Sequence, residues 1–203
     1  MKSVLSSMSN YIENILDEEP EFEGYRAVVR KIESPADDVV REKTIFTMEE
    51  LQGLLDYLVE HGEYEKACML SLAMNSGRRK AELPRFKVDY FKDENVRFGS
   101  LYKTPEKVRT KGRGKGKYLE LYVMKKPFDP YLNLWLNERK RLGIESEWLF
   151  PLKSNPAEPM KPETLDSWAD TFSRVLNKSF YWHSLRHMFC TECLKNNLPS
   201  SVV

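Results

Sequence analysis

The chain has 203 residues, 41% hydrophobic and 31% charged, a balance that excludes a disordered tail and allows one sizeable core with a small appendage. Its formal net charge of +1 conceals a segregated layout: residues 1–50 hold six basic and twelve acidic residues, and residues 103–117 hold seven basic and one acidic. The second block points to a polyanionic partner.

Val4, Met8, Tyr11, Ile12, Ile15 and Leu16 have helical spacing. An acidic run around Pro20 ends that pattern. The stretch 25–43 reads as a linker or loosely packed arm, which places a domain boundary near Thr44. Thr47-Met48-Glu49-Glu50 is a capping box. A helix should follow with Leu51, Leu54, Leu55 and Leu58 inward, ended by His61-Gly62. His61 fits a solvated residue that complements the helix dipole. Glu63 to Asn75 predicts a second helix with a broad apolar face. Gly77 should stop it, and Ala81-Glu82-Leu83 should open a short helix before Pro84. An arginine at this junction fits a recess rather than an open face.

Residues 86–121 read as a small antiparallel sheet. Val96-Arg97-Phe98 with Leu101-Tyr102 is one strand, and Tyr118 to Val123 is the clearest strand in the chain. Between them the bases from Lys103 to Lys117 alternate with Gly112, Gly114 and Gly116, so a hairpin could approach a phosphate backbone closely. A helix is predicted over 127–143, with Tyr131, Leu134, Trp135 and Leu142 inward and Glu138, Arg139, Lys140 and Arg141 outward. Trp148 to Pro151 reads as a short buried run and Ser154 to Pro162 as a proline-broken loop. A further helix passes through Trp168, Phe172, Val175 and Leu176. The sum is an α+β chain, mostly helical, with a small antiparallel β-hairpin on one side.

The odd set Cys68, Cys190 and Cys193 lacks disulfide-framework spacing, which points to a reducing, cytoplasmic setting. No signal peptide or membrane span is expected, and there is no internal repeat.

The most informative stretch is Trp182 to His187, at the start of a last helix. His183, Arg186 and His187 share a face of that helix. One permanent cation beside two switchable groups is costly unless an anion lies in front of them. A zinc reading of His183 and His187 with Cys190 and Cys193 lacks the general-base glutamate of the zinc-protease helix, because position 184 is serine. Both cysteines read better as small core residues. Arg79 with Glu82 alone would be an ordinary helix-surface pair, and the basic hairpin alone a solvated face.

The combination is more specific than its parts. Ser76-Gly77-Arg78-Arg79-Lys80-Ala81-Glu82-Leu83 comes first, then the basic hairpin, then His183-Ser184-Leu185-Arg186-His187-Met188-Phe189-Cys190-Thr191. This order resembles the tyrosine recombinases of the phage integrase type, from about Thr44 to the end. The resemblance implies an integrase-type catalytic domain over 44–203, preceded in 1–43 by the tail of a core-DNA-binding domain plus linker. It implies site-specific recombination of double-stranded DNA through a 3′-phosphotyrosyl link, without metal, cofactor or small-molecule substrate. The protein would be a soluble bacterial or phage-encoded one that assembles, as a tetramer, on DNA. Arg79 and Arg186 would be the two phosphate-holding arginines and His183 an acid/base and phosphate ligand. Glu82 and His187 would orient the arginines. Lys111 would be the proton donor, with Lys115 and Lys103 as competitors. Arg109, Arg113, Lys115 and Lys117 would contact backbone phosphates. The family's third motif and nucleophilic tyrosine are expected beyond Val203, since none of the ten tyrosines follows His187. The chain would then be a C-terminally incomplete domain, inactive alone. A non-catalytic DNA-binding module of the same fold and a type IB topoisomerase remain as alternatives.

Overall fold

A computed structural model describes residues 45–110 and 117–195. The predicted helix over 4–16, the linker and the hairpin tip therefore lie outside the described residues. Helix α1 runs from Met48 to Glu60. Its capping box forms as expected: the Glu50 amide donates to Thr47 Oγ1 at 3.1 Å and the Thr47 amide to Glu50 Oε2 at 2.9 Å. Leu51, Leu54, Leu55 and Leu58 are buried. His61 caps the helix, exposed and stacked on Tyr57.

Helix α2, Tyr64–Ser76, is buried without a break from Ala67 to Ala73. An unbroken buried run marks a central helix rather than a surface one, and α2 packs against α1, against the helix at residues 125–141 and against the last helix, residues 182–195. It stops at Gly77 in the left-handed conformation, φ 60°. The short helix placed at Ala81-Glu82-Leu83 instead begins at Leu83 and runs to Arg85 as a 3₁₀ turn. Pro84 sits inside it, in the first positions where its missing N–H costs nothing. Two more 3₁₀ turns, Val88–Phe91 and Asp93–Asn95, lead into the strands.

The sheet differs from the sequence reading in two places. The segment taken as one strand is a hairpin of β1, Val96–Arg97, and β2, Leu101–Lys103, turned by Phe98 and Gly99, both at positive φ. The segment 118–123 is likewise two strands. After β3, Val108–Thr110, strand β4, Lys117–Leu119, pairs with β3, and β5, Tyr122–Met124, pairs with β2. The ladder breaks where Thr104 faces Leu121: the Thr104 amide donates to the Leu121 carbonyl at 3.0 Å, and its hydroxyl, not its carbonyl, accepts the Leu121 amide at 3.0 Å.

Helix α3, Lys125–Arg141, starts two residues before Pro127. Its inner face is Phe128, Leu132, Trp135 and Arg139. Leu142 is exposed and Arg139 is 5% exposed, the reverse of the expectation. The Arg139 guanidinium is caged by the carbonyls of Ser146, Trp148 and Leu149 at 2.8–2.9 Å. Residues 154–162 are not a plain loop: Asn155–Pro159, β7, pairs with Pro151–Leu152, β6. Helix α4, Thr164–Leu176, ends at Asn177 in the left-handed conformation, and α5 spans Trp182–Lys195. The indole N–H of Trp182 donates to the Leu165 carbonyl at 2.7 Å, fixing the start of α5 against the start of α4. The architecture is thus α+β, helices around α2 with small antiparallel sheets on one side. No described helix is long and apolar enough to cross a membrane.

Arg139→Lys keeps the charge but loses the fork that serves three carbonyls. Urea unfolding should show a loss of about 1.5–3 kcal/mol. An unchanged midpoint would mean the cage contributes nothing to stability.

Candidate active site

The first arginine is placed by the end of α2. Gly77 turns the chain, and Arg79 to Glu82 form a tight turn in which the Glu82 amide donates to the Arg79 carbonyl at 2.8 Å. The Glu82 carboxylate curls back into the turn. It accepts the Arg79 backbone N–H and the Arg79 Nη1–H, both at 3.2 Å. Glu82 is 2% exposed while Arg79 is 43% exposed. One buried carboxylate therefore holds an open guanidinium by its base and leaves donors facing outward. The neighbour Arg78 takes the recess instead: it is half-buried, its Nε–H donates to the Ser76 carbonyl at 3.0 Å, and burial pulls its pKa down.

The second arginine comes from α5. Arg186 Nη1 donates to the Gly77 carbonyl at 2.6 Å. Phe189, one turn further, lies so close that a Cβ on Gly77 would meet its ring at 2.3 Å. His183 is exposed at the helix start, and its ring meets that of His187 at 4.4 Å between centroids, nearly edge to face. Burial first, then the charges of His187, Arg186 and Arg79, hold the His183 pKa below the ordinary histidine value.

Arg79, Glu82 and His183 line one open cleft of about 560 Å³, together with Lys80, Ala81, Arg85, Arg109 and Thr110. Arg109 and Thr110 come from β3, so one root of the hairpin forms a wall of the cleft. Arg85 Nη1 donates to the Arg109 carbonyl at 2.6 Å and fastens that root. Arg186 is half-buried at the junction of α2 and α5. His187 faces a different groove, beside Phe46, Met48 and Met188, and no hydrogen bond joins it to either arginine. Lys103 is not in the cleft; it pairs with Glu120 at 2.8 Å. Lys117 opens β4 opposite Thr110, whereas Lys111, Arg113 and Lys115 lie outside the described residues. Among the described residues no three His, Cys, Asp or Glu side chains gather as a metal-holding group. Cys193 is buried as expected, but Cys190 is only half-buried.

Lys80 and Arg85 were not singled out by sequence. Each is adjacent to a residue with a clear signal, but nothing in the pattern tells which way an exposed base after a turn will point.

Helices packed around α2 with small antiparallel sheets match the fold of tyrosine recombinase catalytic domains. The structure superposes on the Tn1549 transposon integrase bound to transposon right-end DNA with a TM-score of 0.66, at 15% identity over 99% of this chain and 68% of that one. The same holds for a lambda integrase dimer bound to a COC′ core site, TM-score 0.60, 14% identity, 96% of this chain and 66% of that one. XerA recombinase gives 0.57 at 18% identity over 83% and 54%. The chain belongs to the phage integrase family, whose model matches residues 44–203. It is 32% identical over 195 residues to the SPbeta prophage-derived recombinase-like protein YomM of Bacillus subtilis (strain 168). That match covers 95% of this chain and 56% of the relative, so the chain spans about half of that protein's length.

Two outcomes follow from this geometry. Because the folded pKa of His183 is depressed, the unfolded chain binds its proton more strongly. Stability should fall as pH drops through the ordinary histidine range, and His183→Gln should remove part of that slope. An NMR titration should place His183 below the ordinary value in the free protein and raise it when an anion binds; no rise would separate His183 from the cleft. Gly77→Ala adds left-handed strain of about 1–2 kcal/mol to the clash with Phe189. It should lower the melting temperature by several degrees, and an unaffected melt would mean the junction yields freely.

Proposed function

We propose that this chain supplies the phosphate-binding half of a site-specific DNA recombinase that cuts and rejoins DNA through a 3′-phosphotyrosyl link. The observation that carries the reading is the cleft itself. It gathers Arg79, Arg85, Arg109 and Lys80 around a single buried carboxylate already committed to Arg79. Such an excess of preorganised donors suits a transition state whose charge spreads over the nonbridging oxygens of a phosphate. Arg79 and Arg186 hold those oxygens through planar forks. Glu82 and His187 are positioning residues, the first through Arg79 and the second through the His183 ring. Double-stranded DNA is the substrate, as it is for the integrases solved on DNA.

In the reaction a tyrosine oxygen attacks phosphorus, and the bond from phosphorus to the 5′-oxygen breaks. The bond energy stays in the new phosphotyrosyl ester. His183 serves as acid/base and phosphate ligand. Lys111, on the hairpin beyond Thr110, gives the leaving 5′-oxygen its proton. Arg109, Arg113, Lys115 and Lys117 hold flanking backbone phosphates. None of the tyrosines among the described residues lines the cleft, and Tyr181 lines the groove beside α1. The nucleophile in this reading is a tyrosine outside the described residues. Residues 44–203 act as the integrase-type domain, with 1–43 contributing the end of a core-binding domain and linker, and working assemblies are tetramers on DNA.

The 203-residue chain should bind duplex DNA weakly, with steep salt dependence, and form no covalent adduct on a nicked suicide substrate. Arg79→Ala and Arg186→Ala should each lower affinity at least tenfold at low salt. A covalent adduct would overturn the division of the site, and affinity indifferent to Arg79 would overturn the cleft as the DNA seat.

A further inference from the structure

Lys80 belongs to the cleft but is not pointing its charge at a free space. Its ammonium lies 2.8 Å from both carboxylate oxygens of Asp166. Asp166 is in the first turn of α4. That turn is anchored to the catalytic helix, because the carbonyl of Leu165 accepts the Trp182 indole N–H. Lys80 is thus held at the rim of the site by a carboxylate whose backbone is fixed to the residue preceding His183.

Three features make this pair a reserve rather than a structural tie. Both partners are partly exposed, at 36% and 62%, and pairs in that setting are weak. The carboxylate has a second stabiliser, since an acid in the first turn of a helix is favoured by the helix dipole, so Asp166 remains favourable when the lysine leaves. The cleft is also larger than one phosphate needs. A volume of about 560 Å³ is that of a cube about 8 Å on a side, wider than a single phosphate group. A strand carries a charge on every nucleotide, so a scissile phosphate at Arg79 and His183 has a neighbour for the other bases that line the cleft, Lys80 among them.

We propose that Lys80 is a ligand for the phosphate flanking the scissile one, held by Asp166 in the free protein and passed to the DNA on binding. The inference rests on the cleft being the DNA seat. The exchange makes DNA binding depend on a carboxylate that never touches DNA. It also favours a continuous strand with a flanking phosphate over an isolated phosphate, which cannot displace Asp166 and fill the main seat at once.

The test is a double-mutant cycle on the 203-residue chain, with duplex DNA affinity measured across a salt series. Asp166→Asn should raise affinity by up to about fivefold. Lys80→Gln should lower it and flatten the slope of log affinity against log salt by about 0.9, and Lys80→Arg should restore both. In the Lys80→Gln background Asp166→Asn should have no further effect. An equal rise in both backgrounds would make Asp166 a bulk repulsive charge and overturn the exchange, as would an unchanged salt slope in Lys80→Gln. Arg79→Ala separates the two levels. Affinity that ignores Arg79 sinks the cleft reading itself, whereas affinity that falls with Arg79 but gives an additive cycle sinks only the role of Lys80.

Discussion

The site depends on one carbonyl. Gly77 ends α2, and its carbonyl accepts the guanidinium of Arg186 from α5, 109 residues later in the chain. The last carbonyls of a helix have no partner within it, so an arginine satisfies this one and is held by it. Two further properties of the same residue are needed. The left-handed φ of 60° turns the chain towards Arg79, and the missing side chain admits the ring of Phe189. Only glycine meets both conditions without strain. One residue therefore sets the separation of the two arginine-bearing elements.

Around that junction like charges are crowded. Arg78, Arg79 and Arg186 lie near His183 and His187, and the buried carboxylate beside them, Glu82, is bonded to Arg79. The group that can respond is His183, whose pKa is held below its ordinary value by burial and by its cationic neighbours. Guanidinium groups cannot lose a proton near neutrality, so the free protein bears the repulsion through its folding energy. The large buried surface of α2 and the aromatic cluster of Phe172, Phe180 and Trp182 hold the elements together against it. An anion in the cleft relieves the repulsion, which is why the arrangement favours a phosphate over a neutral ligand.

The parts of this fold legible in the sequence are those governed by local rules. The Thr47–Glu50 capping box, the glycine stop at residue 77 and the inner leucines of α1 each follow from neighbours within four residues. The residues that misled are those whose surroundings come from afar. Arg139 lies among charged residues in the sequence, yet carbonyls from the 146–149 loop bury it. The run 118–123 alternates like one strand but changes partners at Leu121, where its opposite segment leaves one strand at Lys103 and begins another at Val108. The candidate residues Arg79, Glu82, His183 and Arg186 stand out in the sequence only as an ordered set, since each alone has a commonplace reading; the structure brings the first three to one cleft. Lys80, Arg85 and Asp166 do not stand out, because their meaning lies in a contact across 86 residues and a bond across 24.

The anchoring of the hairpin bears on how β3 reaches the cleft. Its root is fastened along the incoming strand: Tyr90 donates to Glu106 at 2.5 Å, Lys87 pairs with Glu106 at 3.0 Å, and Arg85 grips the Arg109 carbonyl. A two-stranded ribbon alone is marginal in water, so these polar bonds define where the tip departs. Thr110, the last described residue of β3, lines the cleft beside Arg109. Lys103 lies outside the cleft, and its ammonium is held by Glu120, which pushes its pKa up. A proton donor must arrive within hydrogen-bond reach while still willing to release its proton, and Lys103 is ill placed for both.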